Sequence, residues 1–450
     1  MRRARDRMDF IAEKSPARLV LVVFATIIAI VTLLLWLPFS TTTGTSPAFV
    51  DALFTATSAV SVTGLTTVDT AVYWSAFGHV VIIIGVGIGG LGVMTLASIL
   101  ALTVSRHIGL TQRMLTASET RTDKLGEVGS LVRAVIVTSL TVESILAIVL
   151  FPRFLAMGES IGSAAWHAVF MALSIFNNAG FVIMPGGLTP HVGDWWMSLP
   201  IVFGTFLGAI GFPVLMNIAR TWRRPRRWSL HTKLTLAMYS LLSMTTFILI
   251  PALEWSNEKT FGALNWSEKL LAALVMSVNS RSSGLSTIDI ADLRESTWFL
   301  QDALMFVGGG TASTAGGIKV TTLAVLLLAI VAEARGDRDI EVFDRRIPRQ
   351  TLRLAVAVAF IGASLVGLAT LTLLTLTHFH LNVILYEVLS AFGTVGLSTG
   401  ITSALPESAK FVLAALMFAG RTGTMTVAAA LALRSRRRVI RMPEERPSVG

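Results

Sequence analysis

Four short polar segments, each carrying a glycine, recur at nearly equal separations along this 450-residue chain. Each segment follows an apolar run that is shorter than the other apolar runs of the sequence. Recurrence of one pattern at a regular period indicates that a chain is built from repeats. The chain is therefore predicted to consist of four similar units. The segments are Val62-Thr63-Gly64, Asn178-Ala179-Gly180, Ser282-Ser283-Gly284 and Thr394-Val395-Gly396.

The composition places these units in a membrane. Hydrophobic residues make up 53% of the sequence and charged residues 14%, whereas soluble proteins average about 25% charged residues. A chain of this length with so little polar surface is predicted to be an integral membrane protein. The sequence contains no cysteine, which excludes disulfides and thiolate metal sites.

Each repeat is interpreted as a spanning helix, a half-span, a loop and a second spanning helix. A full crossing needs about 20 apolar residues. The first half-span, residues 48–62, would rise only about 22 Å as a helix, less than the roughly 30 Å of a bilayer core, so it must enter and return. The predicted fold is all-α and integral to the membrane. It has four parallel span–pore-helix–loop–span repeats in a pseudo-fourfold arrangement around one pore per subunit.

The predicted boundaries follow from this pattern. The spans are 19–39, 77–103, 131–151, 196–219, 233–253, 298–333, 352–377 and 408–433, and the half-spans are 48–62, 163–178, 265–279 and 380–393. The domains are a cytoplasmic N-terminus (1–18), pore repeat 1 (19–105), a cytoplasmic loop with pore repeat 2 (106–220), a cytoplasmic loop with pore repeat 3 (221–334), a cytoplasmic loop with pore repeat 4 (335–433) and a cytoplasmic tail (434–450).

The distribution of basic residues predicts the orientation. The net charge of +10 does not indicate nucleic-acid binding, because most lysines and arginines lie in clusters between repeats. The alternate connections carry few basic residues, as the positive-inside pattern requires. Both termini and the inter-repeat loops are predicted to be cytoplasmic, and the first span to remain uncleaved. The clusters occupy residues 2–18, 106–133, 220–233, 335–353 and 434–446.

The four glycine-bearing loops are predicted to form a cation filter. Irregular backbone at membrane depth is tolerated only where it is buried in protein or lines water. Carbonyl oxygens freed from helical bonding can replace the hydration shell of a cation, and the C-terminal ends of the half-helices carry partial negative charge. The alternative is that the loops are interfacial re-entrant turns of a transporter. The predicted filter residues are Val62, Thr63, Gly64, Asn178, Ala179, Gly180, Ser282, Ser283, Gly284, Thr394, Val395 and Gly396.

The second span of repeat three is predicted to break beneath the filter. Its glycine content is too high for a continuous helix, because each glycine costs about 1 kcal/mol relative to alanine. We expect this break to form a gate loop inside the pore; the alternative is a kink that packs against a neighbouring helix. The predicted gate comprises Gly308, Gly309, Gly310, Thr311, Ala312, Ser313, Thr314, Ala315, Gly316, Gly317, Lys319 and Arg421.

Arg421 belongs to this gate although it lies in the last span. An arginine at the centre of a spanning helix costs roughly 2.5–3.5 kcal/mol, and such residues usually face the interior with a partner. Carbonyls of the broken segment are the expected acceptors, and the charge would oppose cation passage. The alternative is packing at a dimer contact. Arg281, next to the third loop, is expected to brace that loop rather than to bind a cation, because like charges repel.

Taken in order, these motifs resemble the KtrB family of membrane subunits from bacterial Ktr potassium uptake systems, within the Trk/Ktr/HKT superfamily. The resemblance runs almost end to end. It differs somewhat from the family pattern at Asn177 and at the start of the gate segment. It is carried by residues 54–65, 178–181, 281–284, 313–320 and 393–400, together with Leu230-His231-Thr232-Lys233 and residues 442–446.

The resemblance implies a potassium-translocating subunit that is not an enzyme. It implies a homodimer with one pore per subunit, in the bacterial plasma membrane, on a cytoplasmic ring of KtrA-type regulatory subunits that bind ATP or ADP. Sodium often stimulates such systems. The basic loops would contact this ring or anionic lipid, or serve orientation alone. A second function class, a secondary cation transporter working by alternating access, would need carboxylates in the membrane, for which Glu143 and Asp302 are the candidates.

Overall fold

The computed structural model describes residues 16–92, 95 and 124–423. Most of the predicted N-terminal segment 1–18, much of the basic cluster 106–133 and the whole tail 434–450 lie outside the described residues. The helical ends of the predicted spans 77–103 and 408–433 also lie partly outside them.

The described helices follow the order span, half-span, loop, span. Repeat one contains α1 (Pro16–Leu35), α2 (Phe49–Ser61), the short α3 (Thr70–Tyr73) and α4 (Ala76–Gly92). Repeat two contains α5 (Lys124–Ala156), α6 (Ile161–Phe176), α7 (Trp195–Ile210) and α8 (Phe212–Thr221). Repeat three contains α9 (Leu230–Glu254), α10 (Trp266–Asn279), α11 (Glu295–Phe306) and α12 (Val320–Arg335). Repeat four contains α13 (Arg349–Leu376), α14 (Leu381–Gly393) and α15 (Glu407–Phe418), which continues as a π-helical turn over Ala419–Gly423.

Three described helices are long and apolar enough to cross a membrane: Val132–Ala156, Leu230–Glu254 and Arg349–Leu376. The pair α7 and α8 counts as a fourth span if its two parts are taken together. The four pore helices α2, α6, α10 and α14 are shorter, with 13, 16, 14 and 13 residues. At 1.5 Å of rise per residue they cannot cross a bilayer core.

The predicted continuous span 196–219 is wrong. The helix breaks at Gly211, which has φ +92°, and α8 leaves α7 at an angle of 98°. A residue with a side chain rarely adopts this backbone conformation, and Pro213 at the start of α8 favours a new helix start. The bend is important because residues 308–319 of repeat three, the predicted gate segment, pack against it.

Within the described ranges, one hairpin between repeats three and four departs from the helical structure. Strand β1 (Ile340–Val342) pairs antiparallel with β2 (Arg345–Ile347). The two turn residues, Phe343 and Asp344, both have positive φ, as a two-residue hairpin turn requires. This hairpin lies in the predicted loop 335–353, so it leaves the helical membrane region unchanged.

Helix α4 carries a glycine-rich run that allows close helix packing, Gly85-Val86-Gly87-Ile88-Gly89-Gly90. A methyl group on Gly89 would overlap the carbonyl of Val60, and one on Gly90 would overlap Oδ1 of Asn177. These two glycines therefore let α4 approach the C-terminal ends of the first two pore helices. Contact through glycine is a common way for membrane helices to come close together.

The last repeat closes onto the first. The Lys410 ammonium on α15 lies 3.2 Å from Oδ1 of Asp51 on the first pore helix, and both side chains are largely buried. The ion pair thus joins the two ends of the repeat series. Four repeats that meet in this way surround a common axis.

Candidate ion pathway

Three of the four predicted filter loops share one backbone conformation. In these three loops a residue with left-handed φ lies one or two positions after the pore helix, and the loop glycine follows two positions later, also with positive φ. In repeats one, two and four the pairs are Val62 (+57°) with Gly64 (+91°), Asn178 (+58°) with Gly180 (+74°) and Thr394 (+47°) with Gly396 (+94°). Left-handed backbone is uncommon for residues other than glycine, and for a β-branched residue it is an outlier. Such strain persists only where surrounding structure enforces it.

Polar side chains of the pore helices hold these loops. Ser58 Oγ accepts a hydrogen bond from the Gly64 amide at 3.0 Å, and Ser390 Oγ accepts one from the Gly396 amide at 3.1 Å. In repeat two, Ser174 Oγ instead donates to the Phe181 carbonyl at 2.7 Å. Each loop is therefore bonded to its own pore helix, which stabilises the strained backbone.

The loop of repeat three is held differently. Only its glycine, Gly284, has positive φ among the loop residues, and Asn279 Nδ2 donates to the Leu285 carbonyl at 2.8 Å. The buried Arg281 guanidinium lies 3.7 Å from the centre of the Tyr239 ring, donates to the Tyr239 carbonyl at 3.2 Å and also donates to Ser243 Oγ. Arg281 therefore ties the loop to α9.

The four loop glycines face one another in a closed ring. A methyl group added to each would lie against the carbonyl that precedes the glycine of the next loop, so each close approach depends on the missing side chain. On Gly180 and on Gly284 the added carbon would lie 2.6 Å from that oxygen. The carbonyls facing Gly64, Gly180, Gly284 and Gly396 are those of Ala179, Ser283, Val395 and Thr63.

The order of contacts around this ring is repeat one to two, two to three, three to four and four back to one. Residues separated by hundreds of positions, such as Thr63 and Gly396, are thus brought into contact. The predicted filter residues therefore come together at one place, although their spacing in the sequence says nothing about the contacts between neighbouring loops.

The predicted gate segment lies between α11 and α12 and forms a closed loop. Its ends pair with each other: the Gly308 amide donates to the Ile318 carbonyl at 2.9 Å, and the Val320 amide to the Gly309 carbonyl at 3.0 Å. Ser313 Oγ donates to the Gly310 carbonyl at 2.6 Å. We call residues 308–319 the broken segment.

Backbone hydrogen bonds fasten the broken segment to the bend between α7 and α8. The Gly310 amide donates to the Ala209 carbonyl at 2.7 Å, and the Phe212 amide donates to the Ala312 carbonyl at 3.2 Å. A methyl group on Gly211 would lie 2.6 Å from the Thr311 carbonyl. The two broken helices therefore support each other's irregular backbone, as buried polar groups at membrane depth require.

The tip of the broken segment lies at the ends of two pore helices. Thr314 Oγ1 is 3.5 Å from the Phe176 carbonyl at the end of α6. A methyl group on Gly316 would lie 2.8 Å from Cγ2 of Thr394, in the fourth filter loop. The segment therefore lies directly against the inner ends of filter loops two and four.

Two cationic side chains, the buried Arg421 and the partly buried Lys319, contact this tip. Arg421 donates through Nη1 to the Thr314 carbonyl and through Nη2 to the Gly89 carbonyl at 3.4 Å. Lys319 Nζ donates to the Ala315 carbonyl at 2.5 Å. Arg421 therefore connects repeat four, the broken segment and repeat one. The Thr314 carbonyl is an acceptor of the kind that the sequence suggested, whereas the Gly89 carbonyl was not expected.

Glu387 on α14 is a feature that the sequence analysis missed. This fully buried carboxylate accepts hydrogen bonds from Ser398 Oγ (2.6 Å), the Thr399 amide (2.9 Å), Thr399 Oγ1 (3.1 Å) and Thr402 Oγ1 (2.9 Å). The donors belong to the chain that leaves the fourth filter loop. The available signal was an acidic residue within an otherwise apolar pore helix; the equivalent positions in the other repeats are Thr55, Met171 and Val275.

Glu387→Gln is expected to raise the cation concentration for half-maximal uptake about threefold without changing the maximal rate. An amide places a donor among groups that are themselves donors, and a hydrogen bond to a charged group contributes about 1.5–3 kcal/mol. A threefold shift requires that only about 0.7 kcal/mol of this loss is felt at the ion site. Uptake kinetics at matched protein levels measure the effect.

Glu254→Gln is the matched control for this variant. Glu254 is also a buried carboxylate with several donors, namely Thr297 Oγ1, Thr260 Oγ1, Asn257 Nδ2 and the Arg294 amide, but it lies away from the filter loops. Equal shifts in both variants would show that Glu387 acts only through overall stability.

The model of the TrkH family, described as a cation transport protein, matches residues 14–438. Ktr system potassium uptake protein B of Bacillus subtilis is 38% identical over 413 residues, which cover 92% of each chain. Ktr system potassium uptake protein B of Vibrio alginolyticus is 31% identical over 441 residues, covering 98% of this chain and 96% of that protein. Potassium/sodium uptake protein NtpJ of Enterococcus hirae is 33% identical over 446 residues, covering 97% of each.

The same fold occurs in a solved structure. The crystal structure of the potassium transporter TrkH from Vibrio parahaemolyticus matches with a TM-score of 0.72 at 17% identity, covering 91% of this chain and 83% of that one. This match confirms the predicted fold class, and the relatives confirm the family resemblance of the motifs. The relatives are ion transport proteins, which supports a transporter rather than an enzyme. The chain belongs to the TrkH family of cation transport proteins.

Proposed function

We propose that this chain is the potassium-translocating membrane subunit of a Ktr-type uptake system. The observation that carries the proposal is the closed ring of Gly64, Gly180, Gly284 and Gly396 against neighbouring carbonyls. Four re-entrant loops at one axis supply carbonyl oxygens that can replace the hydration shell of a cation. The names of the relatives from Bacillus subtilis and Vibrio alginolyticus support potassium as the cargo.

The ring has consequences for how the filter works. Each loop contributes a single glycine and a short run of carbonyls, here those of residues 62–64, 178–180, 282–284 and 394–396. A filter this short holds few ions at once and discriminates less sharply between potassium and sodium. The name of the Enterococcus hirae relative, which includes both ions, is consistent with this.

Conduction is channel-like and is gated by the broken segment with Arg421. The position of this segment against filter loops two and four, and the hydrogen bond from Arg421 to the Thr314 carbonyl, support this role. A cation leaving the filter would meet the positive charges of Arg421 and Lys319. The loop must therefore move for rapid conduction.

The assembly we propose is a homodimer in the bacterial plasma membrane with both termini in the cytoplasm. A cytoplasmic ring of KtrA-type subunits that bind ATP or ADP regulates it, and sodium acts as an activator. The relatives named as components of a Ktr system support the existence of a partner. The alternation of basic clusters along the sequence supports the orientation.

A secondary transporter is the other candidate, and two buried carboxylates favour it. Glu143 accepts a hydrogen bond from Asn177 Nδ2 at 2.8 Å next to filter loop two, and Asp302 Oδ1 has no hydrogen-bond partner among the described residues. Charge coupling would require one of them to take up and release an ion or proton. Neither lies in the ring of glycines, which favours the channel-like mechanism.

Rubidium and potassium uptake by cells that lack their own potassium systems tests the proposal. Expression of the chain, with and without a KtrA-type partner, is expected to restore growth at limiting potassium. Glu143→Gln and Asp302→Asn are expected to retain uptake that does not depend on external pH. Loss of uptake in either variant at normal protein level would favour the coupled transporter, and no uptake by the unmodified chain with its partner would reject both.

A further inference from the structure

The surface that follows the bend in repeat two is strongly basic. Five exposed arginines lie at the end of α8 and in the turn after it, and the sequence has no aspartate or glutamate between Asp194 and Glu254. None of the five forms an ion pair with a carboxylate in the described part of the chain. We call Arg220, Arg223, Arg224, Arg226 and Arg227 the arginine turn.

The geometry places this turn at a membrane surface. Helix α8 departs at 98° from α7, a segment of a membrane span, so it runs across the span direction. Near its start Phe212 and Val214 are buried, and near its end Arg220, the first member of the arginine turn, is exposed. Helices with an apolar face and a basic end characteristically lie in the membrane interface.

The exposed tryptophan of the turn also indicates a position at the membrane surface. Trp222 is 64% exposed, and the Arg223 guanidinium lies 4.8 Å from its ring centre. Tryptophan is enriched at the level of the lipid headgroups. The Ser229 amide donates to Asn217 Oδ1 at 3.1 Å, which closes the turn between α8 and α9. The arginines are thus presented on an ordered loop.

We propose that α8 and the arginine turn form a docking surface for anionic phospholipid headgroups. Guanidinium groups bind phosphate through paired hydrogen bonds and are always charged. The orientation predicted from the basic clusters places this surface at the cytoplasmic leaflet, where anionic lipids concentrate. An exposed tryptophan beside charges of a single sign, at the end of a helix that leaves a membrane span, favours a lipid surface over a protein partner.

Lipid docking on this surface acts on the broken segment. The amide of Phe212, the first residue of α8, donates a hydrogen bond to the Ala312 carbonyl. The Gly310 amide donates to the carbonyl of Ala209, just before the bend. A ligand that holds α8 in its present position favours the present arrangement of the broken segment, with its tip against the filter loops. This consequence rests on the proposed function. Anionic lipid is therefore expected to lower cation flux.

Two measurements on the purified full-length chain test the proposal. Rubidium flux is measured in phosphatidylcholine vesicles with and without phosphatidylglycerol, and retained lipid is measured by native mass spectrometry. Wild-type flux is expected to fall about fivefold when phosphatidylglycerol is present, within the usual range of allosteric coupling. A variant with all five arginines of the turn changed to glutamine is expected to lose this response and to retain less phosphatidylglycerol.

The matched control removes five arginines from another basic region: Arg335, Arg338, Arg345, Arg346 and Arg349, each changed to glutamine. It is expected to keep both the lipid response and the bound lipid. The proposal would be overturned if wild-type rubidium flux were the same with and without phosphatidylglycerol. It would also be overturned if both variants lost the lipid response and the bound lipid to the same extent. Loss of co-purification with a KtrA-type partner, with lipid retention unchanged, would assign the turn to a protein instead. If no vesicle conducts rubidium even after a KtrA-type partner is added, the proposed function fails, and lipid retention still decides the docking surface.

Discussion

Replacing Gly396 with serine is expected to raise the potassium concentration for half-maximal uptake by about tenfold or more. Gly396 has φ +94°, and any side chain there would overlap the Thr63 carbonyl across the ring. Relieving this overlap needs to cost the ion site only about 1.4 kcal/mol to give a tenfold change in affinity. The first and fourth loops must then separate, which moves carbonyls that the cation needs.

Gly400→Ser is the matched control for this prediction. Gly400 has nearly the same backbone conformation, with φ +90°, but no atom lies within 4 Å of the position that a side chain would take. Both substitutions therefore impose backbone strain, and only the one at Gly396 also forces the loops apart. Rubidium uptake over a range of potassium and sodium concentrations, at matched protein levels, separates the two.

The expected pattern for Gly396→Ser is a higher half-saturation for potassium and a weaker preference for potassium over sodium. Gly64→Ser should behave similarly, because its side chain would overlap the Ala179 carbonyl. If Gly400→Ser shifts the affinity as much as Gly396→Ser, the contacts around the ring do not determine ion binding. An unchanged potassium affinity in both Gly396→Ser and Gly64→Ser would favour the secondary transporter over the channel-like mechanism.

The pore helices could be predicted because their signal is local. The predicted half-spans 48–62 and 380–393 correspond to Phe49–Ser61 and Leu381–Gly393. Their length relative to the bilayer, the polar loop at the end and the repetition all lie in consecutive residues. The break of repeat three was predicted for the same reason, since five glycines in one stretch disfavour a helix.

The bend at Gly211 was missed because one glycine within an apolar run changes hydropathy very little. A single glycine costs only about 1 kcal/mol in a helix, and the compensating hydrogen bonds come from Ala312 and Gly310 in another repeat. The left-handed Val62 was missed because a β-branched residue does not favour that conformation. In both cases the deciding interactions join residues far apart in the sequence.

The carboxylates show the same limit. Glu387 was missed. Glu143 was considered as a coupling group or as a partner within its bundle, and in the structure it accepts a hydrogen bond from Asn177 beside filter loop two. An acidic residue in an apolar helix can bind an ion, carry a proton or brace a loop, and only its hydrogen-bond partners distinguish these roles. Four donors from Ser398, Thr399 and Thr402 identify Glu387 as a brace.

Replacing Arg421 with alanine is expected to raise cation flux about tenfold. The substitution removes the hydrogen bond to the Thr314 carbonyl and the longer one to the Gly89 carbonyl. A hydrogen bond from a charged donor contributes about 1.5–3 kcal/mol, enough to change the population of the closed arrangement by tenfold or more. It also removes a positive charge that faces cations leaving the filter. Rubidium flux in vesicles without a regulatory partner measures the effect.

Two further variants separate geometry from charge. Arg421→Lys keeps the charge but loses the paired donors, so its flux should lie between wild type and Arg421→Ala.

Arg281→Ala removes another buried arginine that contacts Tyr239 and Ser243 on α9 and makes no hydrogen bond to the broken segment. It is expected to weaken filter loop three and to lower uptake. A similar rise in flux for Arg281→Ala and Arg421→Ala would point to a general loosening of the protein. An unchanged flux for Arg421→Ala at normal expression would mean that the broken segment does not depend on Arg421 to stay closed.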